Sequence, residues 1–331
     1  MKTILFITAR SDHGGGPKHL FELMHYLHER EDFEIHCAGP ASGKYAQSFK
    51  ELAKSFHEIP FRRFSLARAL ALVELIGREN ITFVHTHGFG AGVYGIFLRL
   101  MTFSRVRWFH TFHGFHPQGM KKLITFFIAK FASKLICVSR SEKEAVIKHF
   151  GERPIEVIPN GVETGESPQP NSSRKILGTL TRFDKHKGND ILIKQFAVLP
   201  PETELHIAGD GEERETLEEL IRQEGLEERV ILHGFVENPR EFLRSIDVYV
   251  SASKGEGLPY AALEALAEGK PCLLSDVSGH VDLAEFVTLF QLNDPDGLAQ
   301  NWNSVSSPDL QKFREQFDKN QCLEESERLY T

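Results

Sequence analysis

Two carboxylates with seven residues between them, Glu256 and Glu264, stand in the run Gly255-Glu256-Gly257-Leu258-Pro259-Tyr260-Ala261-Ala262-Leu263-Glu264. Pro259 is placed to open a helix that Gly269 closes, and Gly257 lets a ligand approach the backbone. The free amides around Leu258 then form an anion-binding helix start. At about 1.5 Å per residue, Glu264 lies about 7–8 Å further along the axis, roughly one sugar ring away. Acceptors at the two ends of that span suit the vicinal hydroxyls of a nucleotide sugar; the plain alternative is a pair of helix-surface acids. Upstream, Gly178-Thr179-Leu180-Thr181-Arg182-Phe183-Asp184-Lys185-His186-Lys187-Gly188 ends a strand-like run and opens a helix. A planar fork at Arg182 and a point charge at Lys187 suit a diphosphate leaving group. Solvated loop charges are the simpler reading.

In the first half, Asp12-His13-Gly14-Gly15-Gly16-Pro17 leads from a strand-like run into a helical pattern. The helix start offers free N–H groups to an anion or to sugar hydroxyls, unless the glycines only make a tight turn. His110-Thr111-Phe112-His113-Gly114-Phe115-His116 sits at another strand end. Its imidazoles can hydrogen-bond sugar hydroxyls, transfer protons or ligate a metal. Metal is the weakest of these, because His110 and His113 would point to opposite faces of an extended segment and no carboxylate is near; His113 is the best-placed member. Gly90-Ala91-Gly92-Val93-Tyr94-Gly95 matches the dinucleotide fingerprint, but no acid stands about 20 positions on to hold a ribose. These glycines read as close helix–sheet packing. The only Asp-x-Asp, Asp294-Pro295-Asp296, is turn-like and has no companion histidine, so no metal is expected.

Short apolar runs alternating with longer amphipathic ones give the rhythm of βαβ units and an α/β fold. Strands are expected at 3–8, 33–38, 81–86, 106–110, 134–138 and 155–158, with helices at 17–30, 66–79 and 141–150. Ser141 and Glu144 supply a capping box to the last helix. A Pro/Ser/Gly-rich break at 164–174 reads as a linker. The rhythm then resumes with strands at 175–180, 203–208, 229–233, 246–250 and 271–275, and helices near 188–199, 212–224, 239–245 and 259–268. Domains are thus expected over 1–163 and 175–308, with a helical tail, 309–331, that can pack back onto the first domain. Four scattered cysteines favour a reducing cytoplasm, and Met1-Lys2 leads into a strand rather than a signal peptide. No apolar run is long enough to span a bilayer.

The 331 residues sum to a net charge of −7. Residues 1–163 carry 22 Lys+Arg against 15 Asp+Glu, whereas 164–331 carry 17 against 31. No acid occurs between Glu79 and Glu142, a stretch holding Arg99, Arg105, Arg107, Lys121, Lys122, Lys130, Lys134 and Arg140 among many aromatics. Arg99, Arg105, Arg107, Lys121, Lys122 and Lys130 read as a surface for an anionic membrane or a phosphate-bearing acceptor. A basic face over an aromatic core is the alternative. No nucleic-acid partner is expected.

As an ordered set, these motifs resemble the retaining glycosyltransferases of family four. The matching residues are Gly14-Gly15-Gly16 with His19, His113-Gly114, Val138-Ser139, Ile158-Pro159-Asn160-Gly161-Val162, Gly178, Arg182, Lys187-Gly188, Gly209-Asp210-Gly211, His233-Gly234, and Glu256 to Pro271, which matches the E-x7-E motif. The resemblance implies a GT-B fold, two facing Rossmann-like domains with a central cleft: an acceptor-binding domain first and a donor-binding domain second. It implies that Arg182 and Lys187 bind the diphosphate, Glu264 the ribose, Glu256 the donor sugar, and Gly257, Leu258 and Pro259 a phosphate. Gly178 would border the donor, and Gly234-Phe235-Val236 would hold the base. Gly15 and Gly16 would approach donor and acceptor, and His113 would touch the sugar.

The expected reaction is metal-independent transfer of a hexosyl or N-acetylhexosaminyl group from a UDP-sugar to a growing cell-surface glycan on a lipid carrier or lipopolysaccharide. The enzyme would be cytoplasmic or peripheral on the inner face of the membrane, with the nucleotide sugar as substrate and no cofactor. A sugar-nucleotide epimerase of the same fold and a non-catalytic nucleotide-sugar-binding partner are the alternatives. Ser278-Gly279-His280-Val281-Asp282 follows the family pattern only loosely.

Overall fold

The computed structural model describes residues 1–61, 63–103, 105–115, 119–164 and 176–331; apart from Thr164, the expected linker lies outside the described residues. The chain forms two compact units, Met1–Asn160 with Asn320–Thr331, and Gly161–Lys319.

In the first unit β1 (Lys2–Thr8), α1 (Gly15–His28), β2 (Phe33–Gly39), α2 (Ala46–Leu52), β3 (Ser55–Glu58), α3 (Leu66–Arg78), β4 (Phe83–His87), α4 (Phe89–Met101), β5 (Arg107–Thr111), α5 (Met120–Phe131), β6 (Lys134–Cys137), α6 (Arg140–Phe150) and β7 (Ile155–Val157) follow one another. The strands pair in parallel in the order β3-β2-β1-β4-β5-β6-β7. Strand periodicity feeds both faces of this sheet: Ile4 and Phe6 enter one apolar core, Leu5 and Ile7 the other.

In the second unit β8 (Ile176–Leu180), α7 (Asn189–Phe196), β9 (Glu204–Ala208), α8 (Arg214–Gln223), β10 (Val230–Gly234), α9 (Pro239–Ser245), β11 (Val248–Ser251), α10 (Tyr260–Ala267), β12 (Cys272–Ser275), β13 (Thr288–Phe290), α11 (Gly297–Trp302) and α12 (Leu310–Phe317) build a parallel sheet in the order β10-β9-β8-β11-β12-β13. The order in which strands are added reverses once in each sheet, at β1/β4 and at β8/β11. In such sheets ligands bind outside the strands' carboxyl ends at that switch point.

Four local expectations change. Edge strands β3 and β13 escaped the sequence reading, being four and three residues long. Helix α1 begins at Gly15, so Pro17 is its third residue rather than its first. The cap of α6 is Ser139, whose side chain accepts from Glu142 N at 3.2 Å, not Ser141. The amphipathic stretch 309–330 is broken at Asp318: α12 packs Phe313 and Phe317 on Phe286 in the second unit, while α13 (Lys319–Glu327) passes into the first. There Tyr330 is fully buried, edge-on to Phe6, Phe33 and Phe83, with its hydroxyl 2.5 Å from His85 Nδ1.

Candidate active site

In the second unit the loops after β8 and β11 converge at the switch point. Lys187 Nζ lies 2.6 Å from Glu256 Oε1, which also accepts from Ser253 Oγ at 2.5 Å. The two loops are fastened by Lys254 N donating to His186 O at 2.9 Å and by His186 Nε2 at 2.7 Å from Gly255 O. Gly188, with φ at +65°, sits so close that a Cβ would fall 2.1 Å from Ala252 O, so only glycine lets the loops meet. Burial opposes ionisation of Glu256, but the Lys187 ammonium beside it, the Ser253 bond and the His280 ring outweigh that and hold its carboxyl below the ordinary value. The site therefore carries a preformed cation–carboxylate pair.

The segment that follows the family pattern loosely turns out to support this loop. Glu256 N donates to Ser278 O at 2.9 Å, and a Cβ on Gly279 would stand 2.7 Å from both Glu256 O and Gly257 O. Behind it His280 is buried with Nδ1 3.0 Å from Ser275 O. Gly257 and Leu258 are buried, Pro259 caps α10, and Glu264 occupies the second turn, half-buried. Gly269, at φ +72°, ends that helix.

Arg182 is half exposed and pairs with Asp184 at 3.1 Å, while Asp184 accepts from His186 N and Lys187 N. Gly234 closes β10 at φ +74° and its carbonyl accepts from Gly209 N at 2.7 Å; beyond it Phe235 is 54% exposed and Val236 half-buried. Gly178 lies inside β8, where a Cβ would meet Ile246 Cγ2 at 2.4 Å. Packing alone accounts for that glycine.

The first unit's switch point is lined with histidines. A Cβ on Gly16 would stand 3.2 Å from His113 Cδ2, so the helix start and His113 are neighbours, with Gly15 exposed beside them. His113 Nε2 is 3.2 Å from His87 Nδ1, and His19 Nδ1 is 3.1 Å from Asn160 Oδ1. The loop carrying His113 is held by the buried Glu142 carboxylate, which accepts from Gly114 N at 2.8 Å and Val138 N at 2.9 Å. Burial, followed by neighbouring rings, pushes His113 and His87 well below the ordinary histidine value, and burial takes His19 to about 4 despite its Asn160 bond. These imidazoles are neutral hydrogen-bonding groups.

His110 faces Thr86 on the opposite core, while His116 lies outside the described residues. Among the described residues, His19, His87 and His113 each place a ring nitrogen within 4.8 Å of the others, as do groups on Glu34, His36 and Glu79; these are the clusters able to hold a metal ion. Sequence reasoning missed His87, Glu142, Ser253 and the role of His280. Only His87 left a signal, since His85 and His87 alternate at a strand's carboxyl end. The fingerprint glycines pack as expected: a Cβ on Gly95 would fall 2.2 Å from Trp108 and one on Gly92 2.4 Å from Ile128.

Residues 13–166 match Glycosyltransferase Family 4, and residues 163–321 match Glycosyl transferases group 1. The Escherichia coli UDP-Gal:alpha-D-GlcNAc-diphosphoundecaprenol alpha-1,3-galactosyltransferase is 31% identical over 323 residues, covering 87% of this chain and 80% of that protein. The chain belongs to glycosyltransferase family four. This glycosyltransferase is also 27% identical to the Escherichia coli O-antigen biosynthesis glycosyltransferase WbnH, over 96% of the chain and 93% of that protein. Its fold is GT-B, with two Rossmann-like domains. Anabaena Alr3699/HepE, solved in complex with UDP and glucose, superposes with a TM-score of 0.86 at 18% identity over 99% of each chain. The lipopolysaccharide outer core galactosyltransferase WaaB, in its apo form, gives 0.79 at 20%, covering 99% of this chain and 98% of that one.

Proposed function

We propose that this glycosyltransferase moves a hexosyl or N-acetylhexosaminyl group from a UDP-sugar to a lipid-linked, growing cell-surface glycan, with retention and without a metal. The Lys187–Glu256 pair at the switch point of the second sheet carries this reading. The bond between the anomeric carbon and the phosphate oxygen breaks, and UDP departs with the electron pair. The acceptor hydroxyl oxygen bonds to the same face, and its proton passes to the departing phosphate oxygen. Lys187 and Arg182 stabilise the charge that grows on the diphosphate, the kind of preorganised electrostatic contribution that dominates such steps.

In the same proposal Glu256 accepts from the donor sugar and Glu264 from the ribose. The amides of Gly257 and Leu258, beside Pro259, hold a phosphate, while the backbone of Gly234-Phe235-Val236 takes the base. In the first unit neutral His113, beside Gly16, hydrogen-bonds sugar hydroxyls. The names of the Escherichia coli relative, with its UDP-Gal and diphosphoundecaprenol, and the UDP in the Anabaena protein support this choice of donor and acceptor. Work on such an acceptor is placed, in this reading, at the inner face of the cytoplasmic membrane.

The test is incubation with radiolabelled UDP-hexoses and UDP-N-acetylhexosamines, a saccharide on a lipid diphosphate, and EDTA. Labelled lipid with the donor's anomeric configuration and undiminished rates in EDTA are expected. An inverted linkage removes retention, loss of rate in EDTA removes metal independence, and no UDP release with any donor removes the whole reading. An isomeric sugar nucleotide formed without acceptor would favour an epimerase instead.

A further inference from the structure

A soluble fold buries its large apolar side chains, so a cluster of exposed ones marks a surface that meets something apolar. Among the described residues fourteen large apolar side chains are exposed, and nine of them fall between Phe64 and Phe127. On α5 the solvent-facing stripe, at spacings of three and four, is Met120, Leu123 and Phe127, which are 80%, 59% and 37% exposed. The neighbouring helix α4 ends in exposed Leu100 and Met101 and is followed by Phe103, 87% exposed. Between the two helices lies a groove of about 500 Å³ lined by Arg99, Leu100, Phe103, Lys130, Phe131 and Ala132. Exposed Phe64, Leu66 and Leu70, on or beside α3, extend the patch on the far side of α4.

On α4 and α5 the charge has one sign, whereas the Leu66/Leu70 stripe of α3 continues to the exposed acid Glu74. Lys121, Lys122 and Lys130 flank the α5 stripe and Arg105 follows α4, all exposed. Among the described residues none of these four is paired with an acid, and the sequence offers none between Glu79 and Glu142. Three cations of the same stretch are engaged elsewhere, the first being Arg99, which donates to Val106 O at 2.5 Å. Arg107 lies over the Phe83 and Phe109 rings and reaches Thr331 O, and Lys134 pairs with Glu156 at 2.5 Å. The outward-facing basic surface is therefore narrower than the sequence stretch and centred on α5.

We propose that the α4–α5 face rests in the headgroup region of an anionic bilayer, with Met120, Leu123, Phe127 and Phe103 in the acyl boundary and Lys121, Lys122, Lys130 and Arg105 against lipid phosphates. Apolar side chains aligned outward beside lysines are the pattern of a helix lying in a membrane interface. A second copy of the chain would set these unneutralised cations against each other. No described helix is long and apolar enough to cross a membrane, so this contact is a surface one. The proposal rests on the lipid-linked acceptor and supplies the partner that holds the enzyme beside it.

The test uses the full chain without nucleotide or acceptor: flotation with vesicles of phosphatidylcholine alone and with 30% phosphatidylglycerol (roughly a cytoplasmic-leaflet charge density). Binding to the anionic vesicles only, weakened by salt, is expected. Replacing Lys121, Lys122 and Lys130 by Gln should reduce partitioning about 100-fold, at roughly a factor of five per cation. Leu123→Ser with Phe127→Ser should reduce it at unchanged charge and unchanged thermal midpoint. Equal binding to neutral vesicles, indifference to salt, or a dimer that the serine variants dissociate would overturn the proposal. Vesicle binding without any sugar transfer would leave this surface standing and remove the functional reading; transfer without vesicle binding would do the reverse.

Discussion

Lys187 and Glu256 are each about one-fifth exposed or less, and each is the other's counter-charge. Replacing one partner strands the other, which for a buried pair costs on the order of 3 kcal/mol, whereas removing both charges together is nearly neutral. Stability and catalysis should thus separate. Lys187→Met and Glu256→Gln are each expected to lower the urea midpoint, and the double variant to recover most of it. All three should turn over at least about 100-fold more slowly, since the diphosphate charge and the sugar contact are missing in each. A double variant as unstable as the sum of the singles, or one that regains activity, would show that the pair does not work this way. At this scale the sequence disclosed Lys187 and Glu256, which the structure brings together, because a charged pair in a glycine-rich loop limits the residue types. It did not disclose Glu142 or His87, ordinary residue types made important by neighbours the sheet brings from far along the chain, Gly114 and His113 standing 28 and 26 positions away, nor Ser253, a common loop residue whose partner Glu256 is only three positions on.

Glycine shows how the elements divide packing from ligand binding. Gly95 faces inward from α4 against Trp108, while Gly77 faces nothing within 4 Å near the end of α3. Alanine at 95 should destabilise the fold by about 1–3 kcal/mol or more through overpacking, and alanine at 77 should stabilise it by about 0.5–1 kcal/mol through helix propensity. Thermal unfolding of the two variants checks both signs; a Gly95→Ala protein as stable as the parent would mean that Trp108 can shift. Eleven of the strands were legible to within two residues because most carry a run of β-branched or aromatic residues, β4 and β11 being shifted by two at their starts. Ser55-Phe56-His57-Glu58 and Thr288-Leu289-Phe290 were not, since an edge strand half open to water needs neither length nor a continuous apolar run. The break at Asp318 was hidden for another reason: α12 has a clear apolar face in Phe313 and Phe317 while α13 buries only Cys322, Leu323 and Ser326, and periodicity does not say which core each helix serves.

At the scale of the molecule, the two units differ in charge and in what titrates. Residues 1–160 with 320–331 carry 23 Lys+Arg against 17 Asp+Glu, and residues 161–319 carry 16 against 29. Among the described residues of the first unit, burial pushes seven histidines below their ordinary value, His13, His57 and, most deeply set, His19, His85, His87, His110 and His113, with His110 taken to about 3. Above pH ~6.5 these groups are neutral whether the chain is folded or not and contribute no pH dependence. As pH falls from ~6.5 toward 4, the unfolded chain takes up protons that the folded one refuses. Stability then drops by up to about 1.4 kcal/mol per pH unit for each histidine. The two tryptophans, Trp108 and Trp302, fall one in each unit. In a Trp302→Phe protein, urea midpoints read by Trp108 should fall steeply between pH 7 and 5. Midpoints that stay level over that range would show that these rings take up protons in the folded state.

The placement of Tyr330 bears on how the protein is made. The first sheet encloses a phenol that stands 245 positions after its hydrogen-bond partner His85, and the whole second unit is translated in between. A nascent chain therefore carries an unfilled aromatic cage, ringed by Phe6, Phe33, Phe83 and Phe109, throughout synthesis of the second unit. The first unit, begun first, is therefore sealed last: its aromatic core closes only when residues 320–331 have been made and released.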